Sequence, residues 1–189
     1  MPHAVGVLAL QGSVQEHLAM LKRIENIAPR SVRTAEELKS VDALILPGGE
    51  STVIGKLLRT FGLMTILSNQ ISEGMPVWGT CAGTILLARK ILGESPYLGA
   101  IDITVARNAY GTQSDSFRTT SRIAELSDHE TELVFIRAPK IISCSAHVSV
   151  ICSLGENPVA VRQNHILATT FHPELTNDLS FHSYFASMI

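Results

Sequence analysis

Cysteine, tryptophan and strong charge of either sign are all scarce in this chain. Its 189 residues include three cysteines, one tryptophan and an aromatic share of 5%. Cys81, Cys144 and Cys152 form an odd set without the paired spacing of a metal site, so no metal is expected and free thiols in a reducing cytoplasm are. Basic residues number 15 and acidic residues 17, a net charge of −2 with Lys and Arg scattered, which leaves nucleic-acid binding without an electrostatic footprint. No apolar run approaches the roughly 20 residues that cross a bilayer, and no leader-like pattern opens the chain, so no membrane partner is expected. Repeats, low-complexity tracts and linkers are missing as well. With 46% hydrophobic residues to fill a core, residues 1–189 are predicted to form one domain.

What is present is an alternation of strands and helices. Ala4–Leu10, Ser31–Thr34, Ala43–Leu46 and Val77–Gly79 read as strands, and Val14–Ile24, Val53–Arg59 and Thr65–Ser72 as helices. That order predicts a mostly parallel sheet covered by helices on both faces. From Ile101 onward the pattern changes to short β-branched runs: Ile101–Val105, Val134–Ile136, Ile141–Ser143, Val148–Ile151 and Val159–Arg162. These predict a mixed, partly antiparallel continuation of the sheet, closed by a helix over Leu179–Met188.

The stretch Gly79-Thr80-Cys81-Ala82-Gly83 lies between a strand and the apolar run Ile85–Ala88. Small residues two positions either side of a nucleophile suit a strained strand-to-helix elbow. The helix start aims N–H groups and partial positive charge at the sulfur, favouring the thiolate. A structural cysteine before a glycine-assisted turn gives the same local pattern. Near the C-terminus the strand Ala168–Phe171 runs into His172-Pro173-Glu174. Alternation puts His172 and Glu174 on one side of the chain, so Glu174 can orient His172 as the base for a cysteine nucleophile. A solvated loop pair is the plain alternative. A third element, Pro47-Gly48-Gly49-Glu50-Ser51, follows a buried strand; its glycines can turn N–H groups inward as an oxyanion hole requires, with the Ala82 N–H as second donor. Ser51 is also expected to cap the helix that follows. All three elements fall at strand ends, where open α/β sheets place their sites.

Taken together these residues resemble the triad-type (class I) glutamine amidotransferases, and within them the glutaminase subunits of pyridoxal 5′-phosphate synthases. Val5–Gly12, Pro47–Thr52, Trp78–Gly83, Arg107–Gly111 with Asp115–Phe117, Phe135–Pro139 and Phe171–Leu175 carry the resemblance in order along the whole chain. It implies a flavodoxin-like three-layer α/β sandwich that hydrolyses L-glutamine to glutamate and ammonia without a cofactor. Cys81 would be the nucleophile, His172 the proton carrier and Glu174 its orienting group. Gly49 and Ala82 would form the oxyanion hole, and Gly49, Glu50, Ser51, Arg107, Ile136 and Arg137 the glutamine site. Gln11 would lie where the partner, a (β/α)8-barrel synthase subunit in a large hetero-oligomer, is met and would help organise the oxyanion hole.

Free glutamine carries a carboxylate and an ammonium, which Arg107 and Arg137 on one hand and Glu50 on the other could recognise. Read by itself, each arginine is equally a solvated surface residue. His17, His147 and His165 read as surface or internally satisfied histidines, His3 and His129 as loop residues, and His182 as part of the last helix. Cys144 and Cys152 read as structural. Three segments depart from the resemblance: Asn26–Arg30, Glu94–Tyr97, and Arg162–His165, which lacks a glycine after its glutamine. Two other readings stay open, a Cys-His hydrolase acting on peptides or aldehydes and a non-catalytic regulatory subunit.

Overall fold

A computed structural model describes residues 1–107, 116–126 and 128–189; Asn108–Gly111 and Asp115, which carry part of the resemblance, lie outside the described residues. In chain order the elements are β1 (His3–Leu8), α1 (Val14–Leu21), β2 (Ile27–Val32), α2 (Ala35–Lys39), β3 (Ala43–Leu46), α3 (Ser51–Thr60), α4 (Leu63–Ser72), β4 (Val77–Thr80) and α5 (Ala82–Leu87). They continue with β5 (Ala88–Ile91), β6 (Ile101–Ala106), β7 (Phe117–Arg122), β8 (Glu130–Phe135), β9 (Lys140–Cys144), β10 (Ser149–Leu154), β11 (Asn157–Gln163), β12 (Ile166–Thr169) and α6 (Ser180–Ala186).

The main sheet has seven strands in the order β10-β11-β12-β4-β3-β1-β2. From β2 to β12 all neighbours are parallel, and β11 and β10 extend the sheet antiparallel. The parallel part repeats the flavodoxin-like order, in which ligands bind beyond the carboxyl ends of the strands near the point where the order reverses, here between β1 and β3. Strand alternation sorts the core into two halves. Leu44, Leu46, Val77 and Ala168 pack on one face with α3, α4 and α5, while Ala43, Ile45, Trp78 and Leu167 pack on the other with α1 and α6. Among the described residues no helix is long and apolar enough to cross a membrane.

The structure modifies several expectations. The runs at β6 and β9 do not extend the main sheet; with β5 they form a three-stranded sheet, and β8 pairs with β7 in a two-stranded one. The second strand starts at Ile27 rather than Ser31, taking in Pro29, which is tolerated because β2 is the sheet edge and needs no N–H on its open side. Asn26 and Asn164 adopt left-handed backbone at φ 60° and 54°, so asparagine does the work of the missing glycine in two of the departing segments.

Candidate active site

The first anchor of the site is the elbow after β4. Cys81 sits between strand and helix at φ 48° and ψ −102°, a backbone geometry few non-glycine residues adopt. Its N–H donates to the Thr169 carbonyl at 2.8 Å, prolonging the pairing of β4 with β12 by one rung. The Thr84 hydroxyl ties down the same turn, 2.7 Å from the Thr169 carbonyl. A Cβ on Gly79 would come within 2.5 Å of the Gly83 carbonyl carbon, and one on Gly83 would strike the Leu46 carbonyl. The predicted demand for small residues at both positions therefore has its cause in the backbone packing of the elbow.

Behind Cys81, the chain leaving β12 turns through a short 3₁₀ helix, Pro173–Leu175, whose first residue fixes the bend between His172 and Glu174. His172 Nδ1 lies 2.7 Å from Glu174 Oε1, and that oxygen also accepts the Ser13 hydroxyl at 2.6 Å. Burial by itself would depress the His172 imidazolium, but hydrogen bonding to Cys81 and Glu174 outweighs it and raises the group to about 10. Burial likewise opposes the charged form of Glu174, yet His17, His172 and Ser13 together pull its carboxyl down to about 2. The arrangement is an ion pair: an anion locked behind an imidazole that holds its proton.

The third wall is the loop between β3 and α3. The Gly48 carbonyl accepts the Ser13 N–H at 3.0 Å, and Gly12, at φ 112°, has no room for a Cβ against that carbonyl. In a trans peptide the Gly49 N–H then points the opposite way, clear of the Gly12–Ser13 turn. Gln11 braces the next peptide, its Oε1 accepting the Glu50 N–H at 2.7 Å. Ser51 does not cap α3: it is the first helical residue, Glu50 occupies the cap position without a side-chain bond, and the buried Ser51 Oγ has no partner among the described residues. Ala82 is the first residue of α5, where backbone N–H groups have no acceptor within the helix.

These pieces enclose a cavity of about 270 Å³, lined by Gly49, Glu50, Ser51, Cys81, Ala82, Arg107, Ile136, Arg137 and His172 among others. Cys81 Sγ lies 3.8 Å from the Ile136 carbonyl oxygen across it. Glu174 and Gln11 stand behind the wall, each acting through a lining residue. The two arginines differ. Arg137, in left-handed backbone at φ 46°, is exposed and carries no side-chain partner among the described residues. Arg107 is already engaged: Nε and Nη2 donate to Glu94 at 2.8 Å each, and Nη1 lies 3.2 Å from Glu50 Oε1. Its carboxylate partner comes from the departing loop Glu94–Tyr97, held in place by Tyr97 packed on Gly55 and beneath Arg59.

Four contributors escaped the reading of the sequence. Ser13 bonds a residue 161 positions away, and His17, Thr80 and His182 meet behind Glu174. His17 had one visible sign: with Val14 and Leu21 it falls on the inward stripe of α1, a position for apolar residues. His165 is internally satisfied as expected, bonded to the Ile71 carbonyl at 2.8 Å. Burial pushes the Cys144 and Cys152 thiols up, in keeping with structural roles.

The fold is that of the glutamine amidotransferase class: a crystal structure of a glutamine amidotransferase superposes with a TM-score of 0.91 at 45% identity, covering 97% of each chain. A more distant PurLQS structure from Thermotoga maritima, 14% identical with a TM-score of 0.68, shares the fold alone. This chain belongs to the SNO glutamine amidotransferase family, whose model matches residues 7–189, and is an enzyme that acts on glutamine. It is 50% identical over 186 residues to the pyridoxal 5′-phosphate synthase subunit PdxT of Ruminiclostridium cellulolyticum, covering 98% of each chain. It is 52% identical to the subunit of the same name from Clostridium acetobutylicum, over 97% of this chain and 99% of that one.

Proposed function

We propose that residues 1–189 act as one amidotransferase domain that hydrolyses L-glutamine through Cys81, His172 and Glu174 and passes the ammonia to a synthase subunit making pyridoxal 5′-phosphate. The observation that carries this reading is the convergence of an elbow cysteine, a histidine bonded at 2.7 Å to a buried carboxylate, and a glycine loop on one cavity. Cys81 Sγ attacks the amide carbon of glutamine, and the oxyanion is met by the N–H groups of Gly49 and Ala82. His172 gives its proton to the departing nitrogen, so ammonia leaves and a thioester to Cys81 remains. Water then adds to the thioester with His172 taking its proton, and glutamate departs as the sulfur is released. Glu174 orients the imidazole throughout. Arg137 and Arg107 receive the substrate carboxylate, Glu50 its ammonium, and Ser51 and the Ile136 backbone the remaining polar atoms. The steps call on no metal or cofactor.

The relatives are named as subunits of a pyridoxal 5′-phosphate synthase, which supports a further synthase subunit as partner. In the proposed assembly that partner is the barrel subunit the resemblance implies, in a hetero-oligomer of the cytoplasm, with Gln11 transmitting its arrival to the Gly49–Glu50 peptide. The test is glutamate release from L-glutamine by the wild-type chain and by Cys81→Ala, alone and with a cognate synthase subunit. Turnover that vanishes in Cys81→Ala and rises with the synthase is expected. Turnover retained by Cys81→Ala would overturn the triad, and equal rates with and without the synthase would overturn the partner's role.

A further inference from the structure

His17 and His182 are fully buried histidines for which the proposed reaction has no use. Their rings come from α1 and α6, with His17 Nδ1 and His182 Nε2 2.9 Å apart. The other nitrogen of His17, Nε2, is 3.2 Å from Thr80 Oγ1 and 3.5 Å from Glu174 Oε2. Trp78 stands edge-on to both rings, with centroids 5.7 and 4.9 Å away, and seals the pair from water. The charged groups facing His17 are Glu174 and His172 from the turn after β12 and Glu16 from its own helix; Arg23 adds to the field at His182. Burial depresses both histidines, His182 well below the usual range, so both rings are neutral at neutral pH.

A neutral imidazole has one N–H, and the surroundings decide which nitrogen carries it. With the hydrogen on Nδ1, His17 would donate to His182 Nε2 and force the His182 hydrogen onto Nδ1, a buried atom without a partner. It would also turn the lone pair of His17 Nε2 toward a carboxylate. The opposite assignment avoids both faults. His182 Nε2–H donates to His17 Nδ1, and His17 Nε2–H points at Thr80 Oγ1 and Glu174 Oε2, leaving only a lone pair on His182 Nδ1 unmatched.

That direction matters because both strong donors to Glu174, from Ser13 and His172, converge on Oε1, while buried Oε2 makes no hydrogen bond among the described residues and is met by His17 Nε2 only through an electrostatic approach at 3.5 Å. The terminal torsion of glutamate is broad, so a carboxylate held by one oxygen can swing. We propose that the His182–His17 pair is a positioning device for the triad: the N–H that it presents to Glu174 Oε2 fixes the plane of the carboxylate whose other oxygen aims His172. The inference rests on the triad reading above.

The test compares wild type, His17→Leu, His17→Gln and Cys81→Ala in glutamate release with the cognate synthase subunit present. Removing the N–H in His17→Leu is expected to lower kcat by roughly ten- to a hundredfold with KM unchanged, as loss of an outer hydrogen-bonding partner does elsewhere. It should also move the acid limb of kcat to higher pH by about one unit, because a carboxylate that loses a donor protonates more readily. His17→Gln, whose amide N–H reaches about as far as Nε2, should restore most of both. Nitrogen-15 NMR of the wild-type rings should find both histidines as neutral Nε2–H tautomers. Normal kcat and an unmoved acid limb in His17→Leu, or a His17 Nδ1–H tautomer, would overturn the inference; the tautomer decides it even if His17→Leu does not fold. If Cys81→Ala still turns over glutamine, it is the triad reading that fails.

Discussion

The two sides of the His172 ring are built on opposite principles. In front lies the cavity, walled by loops and bearing Glu50 and Arg137, both exposed, and Arg107, paired with Glu94 and Glu50 at its rim. Behind lies Glu174, 4% exposed, bonded to Ser13 and faced by His17, which Thr80 and His182 hold in turn, with Trp78 edge-on to both histidines and backed by Phe181 and Phe185. A front that admits and releases a zwitterion gains from charges that water can screen and exchange. A back that keeps one charge dry must confront each polar group with another, since an unpaired buried charge is expensive. On the proposed function, the contrast separates groups that set binding from groups that set the chemical step.

The sharpest way to break that contrast is Glu174→Gln. In the proposed triad, an amide in place of the Glu174 carboxylate no longer enforces the productive tautomer, and such a change costs roughly 10⁴-fold in kcat in a comparable triad. Glu174 does not line the cavity, so KM should stay within a few-fold. A large rise in KM with kcat preserved would erase the division between front and back.

The next largest effect is expected from Gly48→Ala, at the boundary of the two regions. A Cβ there would overlap the His172 ring and lie 3.4 Å from Cys81 Cβ. Either the ring or the loop must shift, and a displacement near 1 Å can cost about a hundredfold in rate. Steady-state kinetics with a folding check by circular dichroism decides it. Wild-type kcat would show that the loop yields without disturbing the histidine.

The back also sets how stability should depend on pH. Glu174 is pulled from 4.5 to about 2, so the stability its anion contributes is complete above 4.5 and lost as pH falls through 2. His172 is raised from 6.5 to about 10; its contribution is complete below 6.5 and lost as pH rises through 10. His17 and His182 are depressed from 6.5, so each withdraws stability as pH falls below 6.5. All four signs place the maximum near pH 6.5. Urea midpoints of the ligand-free chain measured across pH should fall on both sides of it, and a flat profile would mean the buried groups are not in these states.

The same contrast explains what the sequence disclosed. The elements that carry the proposed triad and oxyanion loop are contiguous: Gly79-Thr80-Cys81-Ala82-Gly83, Pro47–Ser51 and His172–Glu174 each present their chemistry within a few residues. The back is assembled across the chain, with Ser13 and Glu174 161 positions apart and His17 and His182 165, and no local spacing encodes such meetings. The partition of β5–β9 into two small sheets was hidden for a related reason, because a short β-branched run looks the same whichever sheet it joins. The helix α2 was legible and overlooked: Thr34 and Glu37 form a capping box, each side chain bonding the other's backbone N–H.

Smaller effects belong to the front. Arg137→Ala is expected to raise KM for glutamine by about tenfold or more, as loss of a charged hydrogen bond does, with kcat less affected. Arg107 makes a finer probe, because the guanidinium that would meet the substrate is held by Glu94. The Arg107 side chain is 18% exposed and that of Glu94 35%, so their ion pair is only partly shielded and worth at most about 1 kcal/mol. On the proposed function, glutamine's carboxylate would compete with it. Glu94→Gln keeps the shape of the loop while weakening the grip, and is expected to lower KM by no more than about fivefold, the equivalent of that energy, with kcat unchanged. A raised KM in Glu94→Gln would mean that the loop carboxylate does not compete with substrate but holds Arg107 in the position that receives it.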